Sequence, residues 1–218
     1  MDTVCFDCTK YDRTDRVAQL LAYLCSAPYC AVYYQASVVY CRRELHAVTV
    51  LLGMVANAAL GKGLKRLIRQ ARPLAGCELL SSCAKHGMPS SHVQLMFFIW
   101  ALHALLVWRR NPRSRAQMLI QLAESTILGL VSAAVAVGRV YLGYHNFSQV
   151  AVGAVVGCAF AVVWFGVMLW LARHWFGRVV RWRLSDIMRI KDTFPLGPDV
   201  LCWERRQTLC TKQQRVSS

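Results

Sequence analysis

The chain of 218 residues has the length of a single domain, but 56% of its residues are hydrophobic and its formal net charge is +15. This composition, with a positive mean hydropathy, is too apolar for an ordinary soluble domain of this size. The excess apolar surface has to be covered by lipid, so the sequence predicts an integral membrane protein.

Five runs are apolar enough to be membrane spans, since a bilayer-spanning helix needs about 20 mostly apolar residues. In chain order they cover residues 17–40, 45–61, 93–108, 117–141 and 147–170. The second run is short, and whether it crosses the bilayer fully stays open. The fourth is unusual because it contains Glu124 and Arg139. We expect an all-α, polytopic transmembrane helical bundle of about five spans.

These spans divide the chain into a polar N-terminal segment (1–16), a membrane-embedded domain (17–172) and a basic tail (173–218). The N-terminal segment lacks the apolar core of a signal peptide, so the first span is expected to act as its own insertion signal. The tail and the other short basic loops fall on one side of a five-span bundle. Because cytosolic loops carry an excess of Lys and Arg, this side is predicted to be cytosolic.

The opposite face also carries cations, which the same rule does not favour there. They are Lys62, Lys65, Arg66, Arg69, Arg72 and Lys85. A basic cluster on the non-cytosolic face suggests an anion-binding site. The same loop contains Cys77 and Cys83, and whether they form a disulfide stays open.

The first candidate cluster follows the second predicted span. On one continuous helix, Lys62, Lys65, Arg69 and Arg72 would lie within about 80° of one helix face. Four cations on one stripe repel one another unless an anion lies between them. A juxtamembrane helix whose cations contact lipid phosphates explains this pattern equally well.

The second cluster, Pro89-Ser90-Ser91-His92, directly precedes the third span. Proline followed by serine is a helix-start signal, so Ser90 or Ser91 is expected to cap the helix. The first backbone N–H groups and the positive end of the helix dipole then form an anion cradle beside the His92 imidazole. An ordinary N-cap with an interfacial histidine is the simpler interpretation of this cluster alone.

The third cluster joins the fourth and fifth spans. Arg139 lies inside the fourth span, where an arginine is costly and usually functional or paired. His145, six residues later, can face the same site only if the chain bends between them, and Gly143 offers that bend. His145 and Gln149 are four residues apart and should share a helix face. The neighbouring aromatic residues, including Tyr144, are interpreted as interfacial side chains.

Together the three clusters resemble the type 2 phosphatidic acid phosphatase superfamily, whose signature is K-x6-RP, then PSGH, then SR-x5-H-x3-D. The matching residues are Lys65 with Arg72-Pro73, then Pro89, Ser90 and His92, then Arg139 with His145. The resemblance covers about residues 45–170 and implies the membrane-embedded helical phosphatase fold of that superfamily.

Three positions depart from this signature: Ser91 for glycine, Gly138 for serine and Gln149 for aspartate. The PSSH form of the second motif, with RVYLxYHxxSQ in the third, resembles the dolichyl diphosphatase branch in particular. That branch implies a long polyprenyl (dolichyl) diphosphate as substrate. A neutral amide stabilises an imidazolium less than a carboxylate does, so which group orients His145 stays open. Glu78, on the same predicted face, is the alternative to Gln149.

The resemblance and the chemistry of the residues imply the same roles. His145 would be the nucleophile that forms a phosphohistidine, oriented by Gln149, and His92 would protonate the leaving oxygen and later activate water. The residues expected to bind the phosphoryl oxygens are Lys65, Arg72, Ser90, Ser91 and Arg139. The sequence has no cluster of Asp and Glu suited to magnesium, so no metal and no cofactor are expected.

The implied activity is recycling of dolichyl diphosphate to dolichyl phosphate for protein N-glycosylation, in the endoplasmic reticulum membrane with a lumen-facing site. One alternative is a broader lipid phosphatase acting on phosphatidate or another isoprenyl diphosphate. Another is a catalytically inactive protein that binds lipid phosphates. The presence of both His92 and His145 argues against it, because binding alone would require neither. Membrane lipids are expected contacts, no nucleic acid partner is expected, and the sequence identifies no protein partner.

Overall fold

The computed structural model describes residues 2–4, 9–11, 14–73, 86–109 and 114–190. Three expectations fall on residues 74–85, outside the described residues. They are the alternative orienting residue Glu78, the pairing of Cys77 with Cys83, and the position of Lys85. The tail beyond residue 190 lies outside them as well.

The described elements are almost all helical. A short antiparallel pair, β1 (Asp2–Val4) and β2 (Thr9–Tyr11), comes first. Six helices follow: α1 (Arg16–Leu24), α2 (Ala27–Arg42), α3 (Leu45–Ile68), α4 (Ser91–Arg109), α5 (Arg115–Tyr141) and α6 (Phe147–Leu171). A π-helical turn (Ala172–Phe176) then leads into two short helices, α7 (Gly177–Val180) and α8 (Arg183–Met188).

Among the described residues, four helices are long and apolar enough to cross a bilayer: α3, α4, α5, and α6 with its continuation to Val180. The predicted third, fourth and fifth spans coincide with α4, α5 and α6 to within two residues at each end. The second predicted span, residues 45–61, corresponds to α3. This helix has 24 residues and extends beyond the apolar run through a last turn that contains Lys65 and Arg66. The all-α membrane bundle is confirmed.

The prediction of one continuous helix over residues 17–40 is wrong. The chain turns at Cys25 and Ser26, which separate α1 from α2. Pro28 explains the break, because a proline lacks the N–H group and its ring clashes with the carbonyl four residues earlier. Proline is tolerated in the first turn of a helix, and Pro28 lies in the first turn of α2.

Helix α2 nevertheless runs along the length of the bundle. It has 16 residues, a length of about 24 Å. Near its start, the Tyr29 ring packs edge-on against the His92 ring at the beginning of α4, with 5.5 Å between ring centroids. After its end, the Arg43 guanidinium donates to the Met188 carbonyl of α8 at 3.3 Å. The two ends of α2 therefore contact opposite ends of the bundle.

The packing of α4 against α6 depends on small residues at every fourth position of α6. A Cβ atom at Gly153 would lie 2.9 Å from the Ser90 carbonyl oxygen, and one at Gly157 would lie 3.0 Å from the Phe98 nitrogen. Such spacing lets two helix backbones approach closely. The same face of α6 begins with Gln149, which is fully buried. Close packing of these helices therefore brings Gln149 against the start of α4.

The apolar core lies between α3, α4 and α6. Its buried members are Met54, Phe98, Leu102, Ala161 and Met168. Helix α5 packs on α4 but buries little of its surface, and its outward side chains, including Leu119, Ile127 and Leu130, are apolar. An outward apolar face is what contact with lipid tails requires.

Helix α1 packs against the last turns of α5. A Cβ atom at Gly138 would lie 3.0 Å from the Cys25 sulfur, so this glycine makes room for α1. The Asp15 carboxylate accepts hydrogen bonds from the Ala18 N–H at 3.0 Å and the Tyr141 hydroxyl at 2.8 Å. Both bonds lower the pKa of Asp15. One carboxylate thus caps α1 and joins it to α5.

Candidate active site

The first motif departs from the predicted stripe of four cations on one helix. Helix α3 ends at Ile68, and Arg69 adopts the left-handed conformation with a φ of 51°. Only Lys62 and Lys65 lie on the helix, while Arg72 follows it in a non-helical segment. Pro73 gives a physical reason for the non-helical conformation of Arg72, since a proline disfavours the helical conformation in the residue before it. The stripe is therefore wrong, and Arg72 reaches the site by a turn of the chain.

The third motif forms the bend that its glycine predicted. Gly143 has a φ of 74°, a conformation that favours glycine. The bend lets the Arg139 carbonyl accept hydrogen bonds from the backbone N–H groups of Tyr144 and His145, both at 3.1 Å. Arg139 and His145, which are 4% and 3% exposed, are thereby held side by side.

The prediction that Tyr144 is an interfacial aromatic residue is wrong. It is 1% exposed, and the Arg139 guanidinium lies over its ring with 4.4 Å between Cζ and the ring centroid. This cation–π contact orients a buried charge. The sequence offered no means of separating Tyr144 from Tyr141 and Phe147, which are exposed as predicted.

Gln149 is hydrogen-bonded to the candidate nucleophile. Its side-chain Nε2 donates to the Ala71 carbonyl at 2.8 Å, and its Oε1 lies 2.9 Å from His145 Nδ1. Because a carbonyl only accepts, the Ala71 contact fixes which end of the amide faces His145. An amide oxygen also only accepts, so the proton of neutral His145 lies on Nδ1 and the lone pair on Nε2. The Ala71 carbonyl was missed in the sequence, where backbone groups leave no signal.

The second motif is joined to the same glutamine. The Ser90 N–H donates to the Gln149 carbonyl at 3.1 Å, and a Cβ atom at Gly87 would lie 2.6 Å from the Gln149 amide. Helix α4 starts at Ser91, as predicted, and the Ser90 carbonyl accepts from Gln94 N–H at 2.9 Å. The buried Ser90 hydroxyl has no hydrogen-bond partner among the described residues, so it does not cap the helix.

His92 and Ser91 lie at the first turn of α4. His92 is partly buried against Tyr29, and Ser91 is exposed. Both side chains line a cleft of about 170 Å³ between α2, α3 and α4. His92 thus lines this cleft two residues after Ser90, whose N–H is bonded to Gln149.

The charges around His145 show that the first and third motifs converge. Burial, and then the positive charges of Arg139, Arg72 and Lys65, lower the pKa of His145 from 6.5 to about 3, against the opposing effect of the Gln149 hydrogen bond. All three cations are therefore close enough to act on one imidazole. At neutral pH His145 is uncharged, which is the state in which an imidazole can act as a nucleophile.

The site combines an uncharged imidazole, three cations and a buried hydroxyl at the start of a helix. Cations and helix N-termini favour the binding of phosphate groups. The sequence profile of the type 2 phosphatidic acid phosphatase (PAP2) superfamily matches residues 46–175, which include all three motifs. The chain belongs to the PAP2 superfamily.

Curated relatives of this PAP2 protein cover most of its length. The chain is 33% identical to "Dolichyldiphosphatase 1" of Mus musculus, over 94% of this chain and 87% of the relative. It is 30% identical to "Dolichyldiphosphatase" of Saccharomyces cerevisiae, over 86% and 80%. It is 33% identical to "Lipid phosphate phosphatase gamma" of Arabidopsis thaliana, over 75% and 71%. No solved structure matches the chain with statistical significance.

The family and the branch expected from the motifs are thereby confirmed. Two of the departures from the superfamily signature have a structural reason in this PAP2 protein. Gly138 accommodates Cys25 at the end of α1, and Gln149 donates to the Ala71 carbonyl, which a carboxylate could not do. Ser91 is exposed at the start of α4, and nothing in the structure explains why serine replaces glycine there.

Proposed function

We propose that this protein hydrolyses dolichyl diphosphate to dolichyl phosphate and inorganic phosphate through a phosphohistidine at His145. The relatives named dolichyldiphosphatase support this substrate. The observation that carries the proposal is the environment of His145. Its imidazole is uncharged and hydrogen-bonded to Gln149, and three cations that favour a phosphoryl group lie near it.

In the first step, the lone pair on His145 Nε2 attacks the terminal phosphorus in line with the bridging oxygen. A bond forms between nitrogen and phosphorus while the bond to the bridging oxygen breaks. His92 donates a proton to that oxygen, so dolichyl phosphate leaves. Charge on the three equatorial phosphoryl oxygens is stabilised by Lys65, Arg72 and Arg139, together with the hydroxyl of Ser90 and backbone N–H groups at Ser91 and His92.

In the second step, His92 accepts a proton from water as the water oxygen attacks phosphorus. The nitrogen–phosphorus bond breaks, its electron pair returns to His145 Nε2, and inorganic phosphate leaves. The sum of the two steps consumes one water and one lipid diphosphate and yields lipid phosphate and phosphate. The residues complete both steps by themselves, so we propose a mechanism without a metal.

Gln149 has a positioning role in this proposal. Its amide holds the proton of His145 on Nδ1 and its own orientation is held by Ala71. A neutral amide gives little stabilisation to the imidazolium of the phosphohistidine. The leaving group of a diphosphate is a phosphate, which departs far more easily than an alkoxide, so this weaker support is sufficient.

We further propose that the protein lies in the endoplasmic reticulum membrane, with its site facing the lumen, and recycles the lipid carrier for protein N-glycosylation. Support for this side comes from Arg42 and Arg43, which lie at the end of α2 opposite to His92. In sealed microsomes, a variant with Cys41 as its only cysteine should react with an impermeant maleimide. A variant whose only cysteine is introduced by Ser148→Cys should react only after permeabilisation, and the reverse pattern would refute this orientation.

The decisive assay is phosphate release from dolichyl diphosphate by the purified protein in EDTA. We expect wild type to be active and His145→Ala to lose at least about 10³-fold in kcat. His174→Ala is the matched control, because that exposed histidine hydrogen-bonds the Trp170 carbonyl in the π-helical turn. Activity that vanishes in EDTA, or a His145→Ala variant as active as the control, would refute the mechanism.

The Arabidopsis relative named lipid phosphate phosphatase gamma favours a second candidate, a phosphatase acting on several lipid phosphates. A panel of dolichyl diphosphate, farnesyl diphosphate and phosphatidate in one detergent separates the two functions. Our proposal expects the highest kcat/KM for dolichyl diphosphate. Equal or greater values for phosphatidate would favour the broader activity.

A further inference from the structure

The cleft beside His92 shares Ser91 and His92 with the candidate active site but is lined by none of the site's three central cations. It lies between α2, α3 and α4 and is lined by Tyr29, Asn57, Ala58, Lys62, Ser91 and His92 among others. His92 therefore belongs both to the active site and to this cleft. A ligand bound in the cleft therefore lies next to His92, the general acid of the proposed mechanism.

The direction of the reaction determines which part of a lipid diphosphate lies there. In an in-line displacement the nucleophile and the leaving oxygen are on opposite sides of the phosphorus. With His145 as nucleophile and His92 as the proton donor to the leaving oxygen, the remainder of the substrate extends beyond His92. That remainder begins with the inner phosphate and continues into the isoprenoid chain.

The cleft contains a charge suited to the inner phosphate. Lys62 is exposed on α3, three residues before Lys65, and its side chain lines the cleft together with His92 and Ser91. Lys65 instead acts on His145. The two lysines of α3 thus serve different places. Lys62 is not part of the three motifs, and unlike Arg66 and Arg69 it lines the cleft.

The size and lining of the cleft suit the first carbon atoms of the chain. Pro28, Val32, Ala58 and Leu95 supply apolar surface. The cleft has a volume of about 170 Å³, and a protein cavity of about 150 Å³ holds one benzene molecule. There is room for about one five-carbon isoprene unit.

We propose that Lys62 and this cleft form a second subsite, which binds the inner phosphate and the first isoprene unit of an isoprenyl diphosphate. This inference rests on the proposed function. It makes the protein selective for diphosphates, because a lipid monophosphate with its single phosphate beside His145 leaves Lys62 without an anion. It also predicts tolerance of chain length, because the later units lie outside the cleft.

The charge is tested by Lys62→Met in the full-length protein, with Arg66→Met as matched control. Arg66 is exposed one turn further along α3 and does not line the cleft. Loss of a charged contact should lower kcat/KM for dolichyl diphosphate by about ten- to a hundredfold in Lys62→Met. Orthovanadate, which mimics only the transferred phosphoryl group, should inhibit wild type and both variants equally.

The cleft itself is tested by Ala58→Phe, with the neighbouring Ala59→Phe as control. Both alanines are exposed on α3, but only Ala58 lines the cleft. The larger side chain should lower kcat/KM for the lipid substrate in Ala58→Phe alone. Each variant is compared with wild type for its melting temperature, so that a folding defect is recognised.

These outcomes separate the subsite from the proposed function. Wild-type activity on dolichyl diphosphate with a Lys62→Met variant within twofold of the control would overturn the subsite and leave the function standing. The subsite would also be overturned if Lys62→Met weakened vanadate inhibition as much as it lowered kcat/KM. Lys62 would then act on the transferred phosphate. An inactive wild type would overturn both proposals.

Discussion

Gln149 shows at the residue scale how one residue connects three segments of the sequence. Its amide contacts His145 and Ala71, and its backbone carbonyl accepts from Ser90. The spacing of His145 and Gln149 predicted the first contact. The other two depend on backbone groups, whose positions follow from tertiary packing and not from residue type, so the sequence could not predict them.

The role of Gln149 is tested by two substitutions. Gln149→Ala removes the acceptor for His145 Nδ1–H and should lower kcat by about 10- to 100-fold. Gln149→Asp should retain measurable activity, because its carboxylate still accepts from His145 Nδ1–H. It loses only the hydrogen bond donated to the Ala71 carbonyl. Its carboxylate also raises the pKa of His145, and the acid limb of kcat/KM should therefore move to higher pH. An unchanged rate for Gln149→Ala would remove the positioning role.

The ionisation of His145 is a second test at this scale. Burial and the neighbouring cations lower the pKa of His145 to about 3. Its imidazole should therefore stay neutral, with the proton on Nδ1, throughout the range from about pH 5 to 8. Nitrogen-15 NMR of histidine-labelled protein without phosphate measures this, with His145→Ala assigning the resonance. If that resonance titrated with a pKa near 6.5, the ordinary value for histidine, the result would contradict the cationic environment.

At the scale of elements, hydrophobic runs predicted α4, α5 and α6 closely because a long apolar helix leaves a continuous signal. Two boundaries were not predicted, and proline is involved in both. Pro28 divides the first predicted span without lowering its hydropathy, and Pro73 follows the turn that takes Arg72 off α3. A hydropathy window does not detect a change of backbone direction, so these breaks appear only in the structure.

The glycines of α6 provide a prediction about helix packing. Gly157→Ala places a methyl group against the Gln94 carbonyl and the Phe98 nitrogen of α4. The helices must separate, at a cost of about 1–3 kcal/mol, and the contact of Gln149 with Ser90 should weaken. We expect a lower melting temperature and lower activity.

Gly166→Ala is the matched control on the same helix, because a Cβ atom there has no neighbour within 4 Å among the described residues. Its melting temperature should stay the same or rise slightly, since alanine favours helices more than glycine does. Equal melting temperatures for the two variants, measured by thermal unfolding in detergent, would contradict the packing of α4 on α6.

At the scale of the whole molecule, ends of α3, α4, α5 and α6 meet at one end of the bundle, and α2 runs beside them to the other end. The order of the motifs and the alternation of spans predicted that they share a face. The structure adds that Arg139, Arg72 and Lys65 all act on His145. How closely they converge depends on side-chain packing and on turns that apolar runs do not encode.

The most direct measurement of this convergence is the site of covalent phosphorylation. Protein mixed with dolichyl diphosphate carrying a radioactive terminal phosphate is quenched in alkali, which preserves phosphohistidine, and the labelled peptide is identified by mass spectrometry. We predict label on His145 in wild type and in Gly166→Ala, and none in His145→Ala. Label on another residue, or phosphate release by His145→Ala at the wild-type rate, would contradict the account.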